Sequence, residues 1–378
     1  MNDNSVGLSI EPRAELVNRC NLAGIEWHEL QDLSNEQRAP YFNNERGEDH
    51  VLLAQQFGRE RLDRIGQLGT AIRQIAKSRD GAIFLKELLS TKRAMLYFTQ
   101  PSSRTFLSFR SACQILGIES SEVRDTATSS EVKGESQEDS VRTFSSYCDV
   151  MIMRTHVPGF SERMAWVLAH SDRPIPVLNA GSGKDQHPSQ AVLDIYTLQR
   201  SFEKQGGIDG KRIVFVGDLL RGRTVRSLAR LLMTYDDVKM VFVAPDELQI
   251  GEDIQAMLSD AGVAFELSAD FEPHISTADA IYMTRVQDEW DASEGRSTPI
   301  DVSKFHFEIR HLDVMRPDAV LMHPFPRREE IPIEVDHDRR AVYWRQMRNG
   351  MWIRAALIAS IFGHADSIFD FAEDRESS

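Results

Sequence analysis

From Arg59 to Ser78 the apolar positions Leu62, Ile65, Leu68, Ile72 and Ile75 recur every three or four residues, the spacing of one buried helix face. The compact fold should begin there. Short β-rich runs then alternate with helical patterns: "RAMLYF", "DVMIMR" from Asp149 to Arg154, and "IPVLNA" from Ile175 to Ala180. Such alternation predicts a parallel sheet with crossover helices. After "EKQGGIDGK", whose glycines mark a domain boundary, a second series follows: "RIVFVGD", "KMVFVAP", "DAIYMTR" and "AVLMHPFPR". The pattern predicts two doubly wound parallel-sheet α/β domains. "MWIRAALIASIFG" is apolar around most of its surface, which predicts a buried helix returning to close the first domain. The first fifty or so residues are rich in Asn, Glu and Arg without sustained periodicity, and they predict an extension wrapped on the surface or partly disordered.

Composition fits that outline: 378 residues, 41% hydrophobic and 27% charged, suit a globular protein with two domains. No apolar run approaches the ~20 residues that span a bilayer. The start, "MNDNSVGLSIEPRAELVNR", lacks the basic and apolar regions of a secretory signal, so a cytoplasmic protein is expected. Cys20, Cys113 and Cys148 are scattered without Cys-x-x-Cys spacing and predict buried thiols, not disulfides or a zinc site. A net charge of -14 argues against a broad nucleic-acid face. Local basic pockets remain compatible with it.

Ligands of open parallel sheets collect beyond the carboxyl ends of the strands, and the polar clusters of this chain fall there. Ser102, Ser103, Arg104 and Thr105 lie between "AMLYF" and a segment whose Leu107, Ala112 and Leu116 support a helix. Free amides and the positive end of a helix dipole, with an arginine, suit a phosphate; an ordinary serine cap is the alternative. Ser129 and Lys133 occupy a polar loop, where a lone lysine is ordinarily solvated. Arg154 ends a buried strand and needs either an ion-pair partner or an anion. In "NAGSGKDQHPSQAVLD" the "GSGKD" is not a P-loop, because Leu178 and Asp185 hold positions that require Gly and Ser/Thr. What remains is His187 beside Pro188 at a helix start, with Gln190 one turn inside. A neutral histidine there can donate to a carbonyl oxygen, and no second ligand at metal spacing accompanies it. Arg223 follows a Gly-Asp turn that lacks the dinucleotide fingerprint, Arg285 and Gln287 follow "DAIYM", and prolines flank Phe325 after "AVLM". No nucleophile with a base stands out. Cationic groups on several strand ends imply catalysis by clamping anions and stabilising developing charge.

In order, "QPSSRT", "SSEVKGES", "MRTHVPG", "NAGSGKDQHPSQAVLD", "VGDLLRGRTVRSLARLL", "YMTRVQDE", "MHPFPRREEIPIEVD" and "AVYWRQMRNGMWIRAALI" closely resemble the aspartate carbamoyltransferase family, from about residue 50 to residue 365. The Ser-Met-Gly segment of the sister ornithine enzymes is absent, and "MTRVQ" resembles the aspartate branch. The resemblance implies transfer of a carbamoyl group from carbamoyl phosphate to the α-amine of L-aspartate, the second step of pyrimidine synthesis. It implies no cofactor or metal, and an active site between the two domains. The expected organisation is an N-terminal extension (1–49), a carbamoyl-phosphate domain (50–195 plus the C-terminal helix, 350–372) and an aspartate domain (205–345). On the matching positions, Ser102, Ser103, Arg104 and Thr105 would hold the phosphate, and Thr105, Arg154 and His187 would polarise the carbamoyl oxygen. Gln190 and the carbonyls of Pro324 and Phe325 would receive the carbamoyl NH2. Arg223, Arg285 and Gln287 would bind the aspartate carboxylates. Ser129 and Lys133 resemble a loop that family members lend to a neighbouring subunit, which implies a homotrimer and leaves larger assemblies with regulatory or other pyrimidine-pathway chains open. Gln100 stands where the family usually carries an acid, Ser103 replaces the commoner Thr or Gly, and Phe106 stands where an arginine often follows. The alternatives are a carbamoyltransferase for another amino acid and a silent scaffold paralogue, although Arg104, Lys133 and His187 are all retained.

Overall fold

The structure, a computed structural model, describes residues 21–43, 50–124, 134–183, 186–286 and 300–376. Two all-parallel sheets organise it. The first contains β1 (Arg93–Phe98), β2 (Glu119–Val123), β3 (Val150–Thr155) and β4 (Val177–Ser182) in the order β2-β1-β3-β4. The second contains β5 (Arg212–Val216), β6 (Lys239–Val243), β7 (Phe265–Ser268), β8 (Ala280–Met283) and β9 (Val320–Met322) in the order β7-β6-β5-β8-β9. Each order reverses once, between β1 and β3 and between β5 and β8. Those reversals open the crevices where parallel sheets bind ligands. The two doubly wound sheets match the expected fold class.

Five helices position the site: α1 (Arg59–Ile75), α2 (Ser103–Ile115), α3 (Pro188–Phe202), α4 (Arg223–Leu232) and α5 (Tyr343–Ile361). On α1 the residues Leu62, Ile65, Leu68, Ile72 and Ile75 are all buried, as their spacing requires. On α2 the buried face is Phe106, Phe109, Ala112 and Cys113, whereas Leu107 is 57% exposed and does not belong to it. Helix α5 packs against α1, α2 and α3, so the chain does return to the first sheet after building the second. One cluster of buried apolar side chains runs from α1 through α3 and α5 to Phe215 and Phe242 of the second sheet. Arg59 adds a polar tie, donating to both carboxylate oxygens of Asp209 at 2.8 and 2.9 Å while stacking over Tyr235.

Of the two expectations for the N-terminal residues, the described segment 21–43 fits the wrapped extension, and it is anchored by buried side chains. Leu22, Leu30 and Phe42 are fully buried in a cluster with Met95, Tyr97, Met151 and Leu168, and Trp166 Nε1 donates to Ile25 O at 2.8 Å. Ser34 caps its short helix through a reciprocal bond pair with Gln37. Sparse apolar residues suffice there because each meets a ready-made surface. Cys113 and Cys148 are buried free thiols, each pushed up to about 12 by burial; Cys20 lies outside the described residues.

Candidate active site

After β1 the chain turns at Gln100 and Pro101, with the amides of Thr99 and Gln100 both donating to Arg154 O at 3.0 and 3.2 Å. Helix α2 then starts at Ser103 with Ser102 as its N-cap, but the Ser102 hydroxyl makes no capping bond. Thus the helix begins where expected, and its cap is a backbone conformation without a hydroxyl bond. First-turn amides have no intrahelical acceptor and remain oriented toward the helix entrance. Ser103 and Arg104 are exposed, Ser102 is half-buried, and Thr105 is buried. Partial desolvation, then the nearby charge of Arg285, lower the proton affinity of Arg104.

Arg154 closes β3 and is buried, with Nη1 donating to Ala180 O at 3.1 Å and Nε left without a partner. Burial first, then Arg223, Arg104 and Arg354, push its pKa well down. Among the described residues no carboxylate pairs with it, so the cluster electrostatically favours an anion. His187 is the N-cap of α3, with Pro188 at the first helical position, and its amide donates to Ser227 Oγ of α4 at 3.3 Å. Its ring is buried, and Nδ1 has no partner. Burial, then Arg223, Arg154 and Arg354, hold its pKa well below 6.5, which keeps the imidazole neutral. Gly181 makes this convergence possible. At φ 114, a Cβ there would lie 2.8 Å from Arg154 Nη1, 3.2 Å from His187 Cδ2 and 3.3 Å from Arg223 Cζ.

The second domain faces this cluster with three further groups. Arg223, the first residue of α4, reaches across the cleft to donate to Gln100 Oε1 at 3.2 Å and Gly183 O at 2.5 Å. Gln100 therefore serves as a neutral acceptor in an interdomain contact. Arg285 follows β8 and donates to Val286 O at 2.8 Å. After β9, Phe325 N donates to His323 Nδ1 at 2.8 Å, which places the imidazole proton on Nε2, 2.7 Å from Glu330 Oε1. Phe325 itself sits at φ 58, a left-handed conformation that redirects the backbone beside Pro324. Its ring packs on Tyr343 and Trp344.

Gln190 of α3 is buried and donates through Nε2 to Asp194 Oδ1 at 3.0 Å. Phe106 is buried against Phe98, with the Arg124 guanidinium 4.5 Å above its ring. The site residues Ser129, Lys133 and Gln287 lie outside the described residues. His323, Glu330, Asp194 and Gln346 emerge only from the fold; as isolated polar residues in sequence they carry no distinguishing spacing. A separate groove of about 900 Å³, lined by Thr70, Tyr196, Gln199 and Phe369 among others, contains none of the cationic cluster. Four arginines, one neutral histidine and a helix start thus face one cleft, in a chain whose net charge is -14. Such a set can bind a phosphate and carboxylates and stabilise charge on a carbonyl oxygen.

Comparison with known proteins gives a concordant result. Residues 49–200 match the model for the aspartate/ornithine carbamoyltransferase carbamoyl-P binding domain, and residues 209–361 match the Asp/Orn binding domain. Aspartate carbamoyltransferase 1, chloroplastic, of Pisum sativum is 41% identical over 313 residues, covering 82% of this chain and 78% of its own length. The aspartate carbamoyltransferase catalytic subunit of Vibrio cholerae is 40% identical over 285 residues, 74% of this chain and 88% of its own. The crystal structure of Trypanosoma cruzi aspartate transcarbamoylase with carbamoyl phosphate and aspartate superposes with a TM-score of 0.71 at 32% identity, covering 82% of this chain and 95% of that one. The chain belongs to the aspartate carbamoyltransferases of the aspartate/ornithine carbamoyltransferase family.

Proposed function

We propose that this protein transfers the carbamoyl group of carbamoyl phosphate to the α-amine of L-aspartate, giving N-carbamoyl-L-aspartate and phosphate, the second step of de novo pyrimidine synthesis. The convergence of Arg154, His187 and Arg223 around Gly181, between the switch points of two sheets, is the observation that carries it. Ser102, Ser103, Arg104 and Thr105 hold the phosphate at the start of α2. Thr105, Arg154 and neutral His187 donate to the carbamoyl oxygen, while Gln190 and the carbonyls of Pro324 and Phe325 accept from its NH2. Arg223, Arg285 and Gln287 receive the two carboxylates of aspartate.

The amine attacks the carbonyl carbon directly. A C–N bond forms, the C–O bond to phosphate breaks, and the departing phosphate takes the amine proton. Charge gathers transiently on one oxygen, where fixed donors already point. No protein nucleophile is required. The loop carrying Ser129 and Lys133 completes the site from a neighbouring copy, so the active unit is a homotrimer. A colorimetric assay for ureido products with aspartate, ornithine and buffer alone tests the assignment: aspartate alone should yield product, and its failure to do so overturns it.

A further inference from the structure

Asp194 is fully buried on α3, one turn beyond Gln190, where it receives three donors. Gln190 Nε2 and Gln346 Nε2 donate to Oδ1 at 3.0 and 2.7 Å, and the Tyr282 hydroxyl of β8 donates to Oδ2 at 2.8 Å. Gln346 in turn accepts the His323 amide through its Oε1 at 2.9 Å. The carboxyl therefore joins α3, β8, α5 and the loop after β9, without itself facing the cleft.

From this arrangement we infer that Asp194 is a positioning residue that makes the site selective for an acyl phosphate bearing an NH2 group. The inference deepens the proposed function and rests on it. An ionised carboxylate only accepts, so each glutamine must offer it an NH2 and turn its oxygen the other way. For Gln190 this leaves Oε1 as the group available to the substrate. For Gln346 it fixes the oxygen that holds His323 N–H, and with it the chain leading to the Pro324 and Phe325 carbonyls. Gln190 of α3 and the loop after β9 thereby present acceptors, the complement of an amide's two N–H donors. A flipped Gln190 would set NH2 against NH2. Burial raises the Asp194 carboxyl to about 7, while Gln346, Tyr282, Gln190 and the charge of Arg354 favour its ionised form. At pH 8.5 it is a carboxylate.

The test compares three ligands on the full-length protein at pH 8.5: carbamoyl phosphate, acetyl phosphate, in which CH3 replaces NH2, and inorganic phosphate. Asp194→Leu keeps the approximate size but removes the Oδ1 acceptor that both glutamines share, so neither amide is held in its orientation. Carbamoyl phosphate affinity should fall about tenfold, as for leaving a buried N–H donor without its acceptor, with acetyl phosphate and phosphate changed by less than about twofold. Gln346→Met, the milder variant, leaves Asp194 and Gln190 in place but removes the oxygen that holds the His323 amide; it should move the carbamoyl-to-acetyl ratio in the same direction by about threefold, and it decides the matter if Asp194→Leu does not fold. A proportionate loss for all three ligands, or an unchanged ratio, overturns the inference. A wild-type protein that makes no ureido product from aspartate refutes the proposed function instead, whatever the ligand ratio shows.

Discussion

Replacing His187 with alanine tests the centre of the mechanism. The ring is buried at the start of α3, neutral, and within the field of Arg154, Arg223 and Arg354. Its protonated form is strongly disfavoured there, so in the proposed mechanism the imidazole serves as a neutral donor, not as a general acid that gives up a full charge. A single fixed donor aimed at a developing oxyanion is worth about 3 kcal/mol of barrier, which corresponds to roughly a hundredfold or more in kcat. In the proposed assignment the phosphate half of the substrate is held elsewhere, at the entrance of α2, so the dissociation constant of carbamoyl phosphate should change by no more than about threefold. Steady-state ureido formation with saturating aspartate gives kcat, and direct titration with carbamoyl phosphate gives the dissociation constant. A thermal melt of the same preparation separates loss of chemistry from loss of fold. Equal turnover in variant and wild type would refute the role; a loss confined to binding would move His187 to ground-state recognition.

Other expectations follow from single contacts. His50 is buried, accepts Val177 N–H through Nδ1 at 3.0 Å, and is lowered to about 4 by burial. Because its folded pKa lies below 6.5, its contribution is complete above pH 6.5 and is lost as pH falls toward 4, by up to about 3 kcal/mol. His50→Asn keeps an acceptor without the titration and should flatten this part of the acid limb in urea denaturation; parallel pH profiles would exclude the assignment. Phe42→Ala removes a fully buried ring from the docked segment and should lower stability by about 3 kcal/mol. An unchanged urea midpoint would mean that the segment contributes nothing to the fold. Gly181→Ala forces a Cβ to 2.8 Å from Arg154 Nη1 at a φ that side chains rarely adopt. Turnover should fall at least about tenfold with the melting temperature nearly kept, and wild-type turnover would show that the guanidinium placement is unimportant.

The central strands were legible because both faces of a parallel sheet are buried, which leaves uninterrupted runs such as "RIVFV" and "KMVFV". Glu119–Val123 and Phe265–Ser268 escaped for the opposite reason. Both are sheet edges with exposed side chains, and their "ESSEV" and "FELS" carry no apolar run. Leu107 shows the limit of reading periodicity from a few positions: an apolar residue at helical spacing points outward, and Phe106 and Phe109 fill the core instead. Arg154, His187 and Arg223 were legible as residues at strand and helix ends, since those places follow from the alternation of elements. Their mutual approach was expected only through the family resemblance and not from the pattern itself, because it depends on Gly181 and on how two domains meet. The Asp194 junction was beyond reach altogether: Gln346 lies 152 positions away, and neither residue is unusual alone.

Helix α5 gives the chain an order of completion that its domain map conceals. The first sheet's strands precede residue 183, yet the helical layer over them includes Ile353, Ala355, Ala356, Leu357 and Ile358, which packs on α1, α2 and α3. During translation, then, the first domain is begun first and finished last, while the second sheet, contiguous from Arg212 to Met322, is already entire. The unit expected to hold the phosphate cannot close its core until the unit expected to hold the amino acid has been made.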